Sequence, residues 1–224
     1  MLSPARWSFL LALPLASCIV YVDDDGVGFG HGIRGSGVRV DEERAVDGFH
    51  AIQLETDASV VVRLGSGSAL HLSGDDNLLP YVTTEVSNGV LHIDTNHSVS
   101  FRSGLQIEIE TPALDAFHIE GSGDVRVESL DGGRIELGIE GSGSIRALGR
   151  TGELVASIEG SGDLELGELE AAHADLSIEG SGSMDVRVLH ELRYSIEGSG
   201  EIRYAGDPVL HGSIDGSGDV ERSG

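Results

Sequence analysis

One pentapeptide occurs five times in the chain, and a sixth time with aspartate in place of its glutamate, and this repeat limits what the chain can fold into. The first copy is Ile119-Glu120-Gly121-Ser122-Gly123, and the steps between successive copies are 20, 19, 20, 18 and 18 residues. A repeat near twenty residues is typical of a solenoid, in which one coil is too small to fold alone and stacks on its neighbours. The later copies lie at 139–143, 158–162, 178–182, 196–200 and 214–218.

Apolar and polar residues alternate around each copy. In the first copy Ile119, Val125 and Val127 share one parity, whereas Glu120 and Arg126 share the other. A period of two predicts strands with one buried and one wet face, and the Gly-rich, β-branched repeat is a poor helix former. We therefore predict an all-β fold, a parallel β-helix with two or three short strands per coil and a period of about 18–20 residues. The general preference of crossover connections predicts a right-handed coil.

The N-terminal residues predict export and lipidation. Arg6 precedes an apolar run that is too short to span a bilayer, and Leu15-Ala16-Ser17-Cys18 follows directly. This tetrapeptide resembles the lipobox of bacterial lipoproteins, in which the chain is cut before a cysteine that carries diacylglycerol. We therefore assign residues 1–17 to a lipoprotein signal peptide and expect attachment to the membrane through Cys18. An ordinary secretory signal followed by an accidental cysteine is the alternative.

The rest of the chain divides into a tether and a domain. Residues 18–37 hold the lipidated cysteine and a Gly- and Asp-rich segment that cannot bury enough apolar surface to fold. Residues 38–224 form the β-helix domain, with the repeats at 119–218. Ile19 stands where retention in the inner membrane of enteric bacteria requires aspartate. We therefore expect the outer membrane of a bacterial cell envelope, with the domain periplasmic or surface-exposed.

The charge balance excludes one class of partner. The chain has 38 acidic and 14 basic residues, which give a formal net charge of −24. Binding to nucleic acid requires a cationic surface that neutralises phosphates. Nucleic acid is therefore not an expected partner, whereas a cation is compatible with such a surface.

An ordered set of short motifs resembles one bacterial family. The motifs are Gly48-Phe49-x-x-Ile52, Gly74-Asp75-Asp76-Asn77-Leu78-Leu79-Pro80, Asn88-Gly89-x-Leu91-x-Ile93, Thr111-Pro112-x-Leu114 and Gly121-Ser122-Gly123-Asp124. Over roughly residues 45–220 the chain is similar to the putative auto-transporter adhesin head, or GIN, domain. The resemblance implies a single-stranded β-helix in secreted and lipid-anchored proteins, and it supplies no catalytic residues.

Stacking the repeats places acidic side chains in outward columns. Neighbouring strands lie about 4.8 Å apart, and like charges at that distance repel by roughly 1 kcal/mol in water. Calcium, which prefers carboxylate oxygens, is a possible ligand that would neutralise them. A simpler alternative is that Gly-Ser-Gly forms a corner with serines hydrogen-bonded along the stack. The candidate ligand or calcium face comprises Glu120, Asp124, Glu140, Glu159, Asp163, Glu179, Glu197, Glu201, Asp215 and Asp219.

The sequence favours binding over catalysis. The scattered histidines form no zinc motif, and the serines of Gly-Ser-Gly have no nearby base. We therefore expect a non-enzymatic adhesin or scaffold module that binds a glycan or a protein, without a required cofactor. A polysaccharide lyase or glycoside hydrolase is the alternative, by analogy of fold; it would need a local cluster of carboxylates and arginine. We also expect the edge strand of the last repeat to permit self-association.

Overall fold

The computed structural model describes residues 32–223, which form an extended stack of β-strands. The one helical element in this range is a single 3-10 turn at Leu79–Tyr81. None of the helical structure in this part of the chain has the length and apolar character needed to cross a membrane. Strands dominate because alternating polar and apolar residues fill nearly every repeat.

In chain order the strands are β1 (Ile33–Arg34), β2 (Arg39–Arg44), β3 (Ala51–Leu54), β4 (Ser59–Leu64), β5 (Ala69–Asp75), β6 (Val82–Ser87), β7 (Val90–Thr95), β8 (Val99–Ser100), β9 (Gln106–Thr111), β10 (Ala116–Gly121), β11 (Asp124–Gly141), β12 (Ser144–Gly160), β13 (Asp163–Gly180), β14 (Ser183–Gly198), β15 (Glu201–Ala205), β16 (Val209–Gly216) and β17 (Asp219–Arg222).

The repeats form parallel coils, as the sequence predicts. Each of β11 to β14 runs through almost a whole coil and pairs in parallel with the strand one coil away. Shifts in register within these pairs mark where the chain bends. The coil is therefore built from long bent strands rather than from the separate short strands that the alternation predicts. The right-handed sense stays a prediction.

The strands of the stack form two sheets, here called the front sheet and the back sheet. The front sheet contains β6, β7, β3, β10, the second halves of β11 to β14, and β16. The back sheet contains β2, β5, β9, β4, the first halves of β11 to β14, β15 and β17. The Gly-Ser-Gly segments connect the front sheet to the back sheet in each repeat.

The N-terminal coils depart from the simple stack. The β3–β4 coil lies between the β7–β9 coil and the β10–β11 coil, although β7 and β9 come later in the chain. Three pairs at this end are antiparallel: β2 with β5, β5 with β9, and β6 with β7. A parallel coil therefore describes the repeats, and antiparallel strands close the N-terminal end.

The ordered region begins earlier than the sequence indicates. Residues 32–37, which the charge and glycine content assign to the tether, belong to the folded unit because β1 pairs with β8. The buried carboxylate of Asp75 also accepts a hydrogen bond from the amide of Gly37 at 2.6 Å. Its second oxygen accepts hydrogen bonds from the amides of Arg102 (2.7 Å) and Ser103 (3.2 Å). Asp75 thus joins two separate loops to β5.

The core is one continuous column of aliphatic side chains inside the coil. Ile119, Ile139 and Ile158 stack on one another and are at most 1% exposed. Each fully buried side chain of this size contributes about 1.5–3 kcal/mol relative to exposure. Each coil buries several such residues, among them Leu137 and Ile139, and these stacked columns are therefore the main source of stability of the stack.

The Gly-Ser-Gly corner requires both of its glycines. Gly160 has a φ of 123°, and a Cβ there would lie 2.5 Å from the carbonyl oxygen of Gly141. A Cβ on Gly162 would lie 2.7 Å from Cγ2 of Ile139 in the preceding coil. The amide of Ser161 donates to the carbonyl of Gly141 at 2.8 Å. The corner is therefore a close backbone contact, and its ladder of hydrogen bonds comes from backbone amides rather than from the predicted serine side chains.

Candidate functional site

An unbroken row of carboxylates runs along the front sheet, parallel to the axis of the stack. The register aligns the glutamate of each repeat with the one in the next coil, because the spacing of the repeats matches the length of the coil. All of these side chains are exposed. The aligned residues are Glu120, Glu140, Glu159, Glu179, Glu197 and Asp215.

Two further carboxylates extend this row toward the N-terminal end. Leu54 pairs with Ile93 on one side and with Ile119 on the other. Glu55 and Asp94, which follow Leu54 and Ile93, therefore continue the row beyond the repeats. Sequence reasoning missed both residues because neither belongs to a repeat and their coil is inserted out of chain order. We call the complete row the acidic ladder: Asp94, Glu55, Glu120, Glu140, Glu159, Glu179, Glu197 and Asp215.

The pKa of Glu55 is shifted by its position in the row of carboxylates. Burial, together with the neighbouring carboxylates of Glu120 and Asp94, raises the pKa of Glu55 above its ordinary value, and His92 opposes this shift. The carboxylate is therefore less favourable in the fold than in water. The ionised side chain of Glu55 therefore lowers the stability of the fold at neutral pH. This loss disappears as the pH falls through the pKa of Glu55, because the protonated carboxyl carries no charge.

Small polar residues flank the ladder and keep the surface beside it flat. A column of serines lies two residues before the ladder in the later coils, at Ser157, Ser177 and Ser195. In the earlier coils this column holds Gly138 and His118, and the His118 ring occupies the space that a side chain at position 138 would need.

A shallow cavity of about 230 Å³ opens beside Gly138. Its polar lining includes the ladder carboxylates of Glu120, Glu140 and Glu159, together with Gln53 and His118. Gln53 Nε2 donates to Glu120 Oε1 at 2.6 Å. The amide thus holds one ladder carboxylate in place while its neighbours remain free to meet a ligand.

The second predicted acidic column lies on the back sheet and differs from the ladder. Serines separate its carboxylates: Ser144 Oγ donates to Asp124 Oδ1 at 2.7 Å, and Ser183 Oγ donates to Asp163 Oδ1. The sequence analysis placed both columns on one candidate face. They lie instead on the front and back sheets, because the corner turns the chain between them. The register aligns Asp124, Ser144, Asp163, Ser183, Glu201 and Asp219.

No arginine of the described residues forms an ion pair with Asp124. Arg126, two residues after Asp124, pairs with Glu128 at 2.9 Å. Near the end of the column, a hydrogen bond from Arg203 lowers the pKa of Glu201. A serine hydroxyl, rather than an arginine, therefore contacts Asp124.

The third side of the coil carries alternating charges. Asp131, Arg150, Glu170 and Arg187 are aligned in successive coils. Arg150 donates to both oxygens of Asp131, at 2.9 and 3.0 Å, and lowers the pKa of that carboxyl. Such exposed pairs are worth little individually, but they show that acidic columns elsewhere on the coil have partners.

The acidic ladder lacks this compensation. Within residues 32–223 no arginine forms an ion pair with its members from Glu120 to Asp215. The described residues also contain no group of three or more His, Cys, Asp or Glu arranged to hold a metal ion. Calcium on this face therefore stays a prediction.

One hollow on the back sheet combines carboxylates with arginines. Its volume is about 470 Å³, and Arg146 within it pairs with Glu168 and, at 3.5 Å, with Glu165. Asp163, Asp185 and Arg203 complete its charged lining. This is the kind of local cluster that the enzyme alternative requires, although Arg146 is already engaged by carboxylates of the hollow.

The fold and the repeat agree with a known family. The model of the family described as "Putative auto-transporter adhesin, head GIN domain" matches residues 48–208. The chain belongs to this family. The resemblance inferred from the sequence motifs is thereby confirmed. No curated protein matches the chain at a significant level.

Solved structures show the same fold at low sequence identity. A putative adhesin from Bacteroides fragilis matches with a TM-score of 0.69 and 20% identity, over 86% of this chain and all of the other. A putative lipid binding protein from Parabacteroides distasonis matches with a TM-score of 0.60 and 23% identity, over 86% of this chain and 99% of the other. These similarities support the β-solenoid, and the GIN family itself indicates an adhesin-like protein of the bacterial envelope.

Proposed function

We propose that this GIN-domain protein is a lipid-anchored, non-enzymatic binding module of the bacterial envelope, and that the acidic ladder is its ligand face. The observation that carries the proposal is the contrast between sides of the coil. Acidic columns elsewhere meet serine or arginine, whereas the ladder carboxylates from Glu120 to Asp215 stay exposed and without arginine partners in the described region. Repulsion between the carboxylates of the ladder destabilises the protein, and a bound cationic group would remove this repulsion.

A calcium ion fits the distance between neighbouring carboxylates of the ladder. Carboxylates in adjacent coils are about 4.8 Å apart, and calcium binds oxygen at about 2.3–2.6 Å. One ion between two neighbouring coils would therefore reach an oxygen from each. Its remaining coordination positions would be free for hydroxyl or carboxylate groups of an extended glycan or of a protein surface. The flat serine column beside the ladder leaves room for such a partner.

The proposal predicts that glycan binding depends on calcium and on the ladder. We expect polysaccharides to co-migrate with residues 18–224 carrying Cys18→Ser in size-exclusion chromatography with calcium, and to separate from the protein after chelation. Changing Glu140, Glu159 and Glu179 to glutamine should abolish co-migration, because it removes three adjacent carboxylates. Isothermal titration with calcium alone should show the same loss.

A matched variant controls for overall charge. Glu165→Gln, Asp185→Asn and Glu221→Gln remove the same number of charges from the back sheet, where arginines are present in the same column. This variant should bind as the parent does. Equal loss of binding in both variants would show that net charge, rather than the ladder, attracts the ligand and would contradict the proposal.

The same experiment tests the enzyme alternative. The hollow with Arg146, Glu165 and Asp185 is the observation that favours a glycoside hydrolase or polysaccharide lyase. Shortening of a polysaccharide during incubation, lost in Glu165→Gln, would replace the binding proposal with that alternative. Polysaccharides of unchanged length would leave binding as the function.

The lipid anchor makes a separate prediction. We expect the full chain to fractionate with membranes in a bacterial host and to become soluble after detergent extraction. Cys18→Ser should move the protein to the soluble periplasmic fraction, because the lipidated thiol is lost, whereas Ser17→Ala should leave it with the membranes. Membrane association of Cys18→Ser would contradict attachment through this residue.

A further inference from the structure

The C-terminal end of the stack exposes part of its core. Ile214 and Leu210 are 42% and 39% exposed, although they continue the columns of Ile196 and Leu192, which are fully buried one coil earlier. In the described part of the chain β16 has a hydrogen-bonded neighbour on one side only, β14. The edge therefore offers both apolar side chains and a free strand.

The free edge has a defined set of backbone groups. In a parallel ladder, alternate residues direct their amide and carbonyl to the same neighbouring strand. The amide of Glu136 donates to the preceding coil at Asp115, and His211 occupies the same column as Glu136. Odd-numbered residues of β16 therefore bond within the molecule. Leu210, Gly212 and Ile214 direct their backbone groups outward.

The outermost front strand at the opposite end of the stack carries a charged side chain. β6 is the outermost front strand there, and the Arg44 guanidinium donates to the carbonyls of Val82 (2.7 Å) and Leu79 (3.0 Å). A charged side chain of this kind is a common way in which proteins block an edge. Within the described residues, the outermost front strand at one end thus carries an arginine whereas β16 at the other is open, which disfavours head-to-tail filaments and favours a closed pair.

We propose that two copies pair through β16, antiparallel, with a two-fold axis at Gly212. Leu210 then lies opposite the partner's Ile214, and both gain cover from water. His211 lies opposite the partner's Ser213, and Asp215 lies opposite the partner's Val209. Like charges do not face each other, and Asp215 is diagonal to the partner's His211. Three residues of each copy supply the hydrogen bonds, and Gly212 adds no side chain at the axis. This dimer is independent of the ligand proposed for the ladder.

Light scattering tests the dimer. Residues 18–224 with Cys18→Ser contain every described strand, and we expect their mass to rise from monomer to dimer with concentration. Leu210→Lys should remain monomeric at every concentration at which the parent is dimeric, because a lysine on an edge strand opposes pairing. Leu189→Lys is the matched control, since Leu189 is 40% exposed but lies in β14, and it should dimerise. A parent that stays monomeric, or a dimer that survives Leu210→Lys, would overturn the proposal.

Cross-linking reads the register. His211 and the partner's Ser213 would form a non-hydrogen-bonded antiparallel pair, whose Cα atoms lie about 4.5 Å apart, a distance that a disulfide can bridge. In the Cys18→Ser background, an equal mixture of His211→Cys and Ser213→Cys should form a disulfide-linked dimer when a mild oxidant accepts the two thiol hydrogens. Neither variant alone should do so. A cross-link in either single variant would show a register shifted by two residues and would contradict the two-fold at Gly212.

Discussion

Gly160→Ala is expected to destabilise the protein by about 2–6 kcal/mol. Two costs add. A residue with a side chain is strained at a φ of 123°, typically by about 1–3 kcal/mol. The new Cβ would also lie 2.5 Å from the carbonyl oxygen of Gly141, and overpacking of this kind costs about 1–3 kcal/mol more. Denaturant unfolding monitored by circular dichroism measures the sum.

Gly121→Ala separates these two costs. Gly121 has the same φ of 123°, but a Cβ there has no neighbour within 4 Å, because the inserted β3–β4 coil takes a different path at this corner. We therefore expect Gly121→Ala to cost about 1–3 kcal/mol, from backbone strain alone. Equal destabilisation by both variants would show that the contact between coils contributes nothing, contrary to the close packing of the corner.

Asp75→Asn is expected to lower the melting temperature far more than Asp76→Asn. The Asp75 carboxylate is buried and accepts amide hydrogen bonds from Gly37, Arg102 and Ser103. An asparagine offers one acceptor oxygen in place of two, so its NH₂ group would face a backbone donor. The neighbouring Asp76 is exposed and bonds to the hydroxyl of Ser36, which makes Asp76→Asn a matched control.

The effect of Asp75 should depend on pH. Burial opposes the charged form, but the amide hydrogen bonds outweigh it and lower the pKa of Asp75 below its ordinary value of 3.8. A lowered pKa adds stability at pH values above 3.8, and this stability is lost as the pH falls through the pKa of the folded state. The difference in melting temperature between the parent and Asp75→Asn should therefore shrink below about pH 4. A difference that stays constant into strong acid would show that the charge of Asp75 is not its source.

Much of the candidate site follows from the spacing of the repeats. Glu120 and Glu140 occupy equivalent positions of adjacent copies, so a parallel coil must align them, and the register does so. Glu55 and Asp94 could not be added in this way. They enter the ladder because β3 lies between β7 and β10, an order that depends on contacts between distant segments. The split between the Glu120 and Asp124 columns likewise depends on the bend at the corner.

The sequence alone determined the local rules of this protein. Alternating side chains, a step of 18–20 residues and two glycines per repeat specify strands, parallel stacking and a tight corner, because each coil interacts mainly with its neighbours. The tertiary structure decided three features that lie outside the repeats: the inserted β3–β4 coil, the antiparallel N-terminal end, and the loops joined by Asp75. These features arise from pairings between segments far apart in the chain, for which many alternatives satisfy the same local pattern.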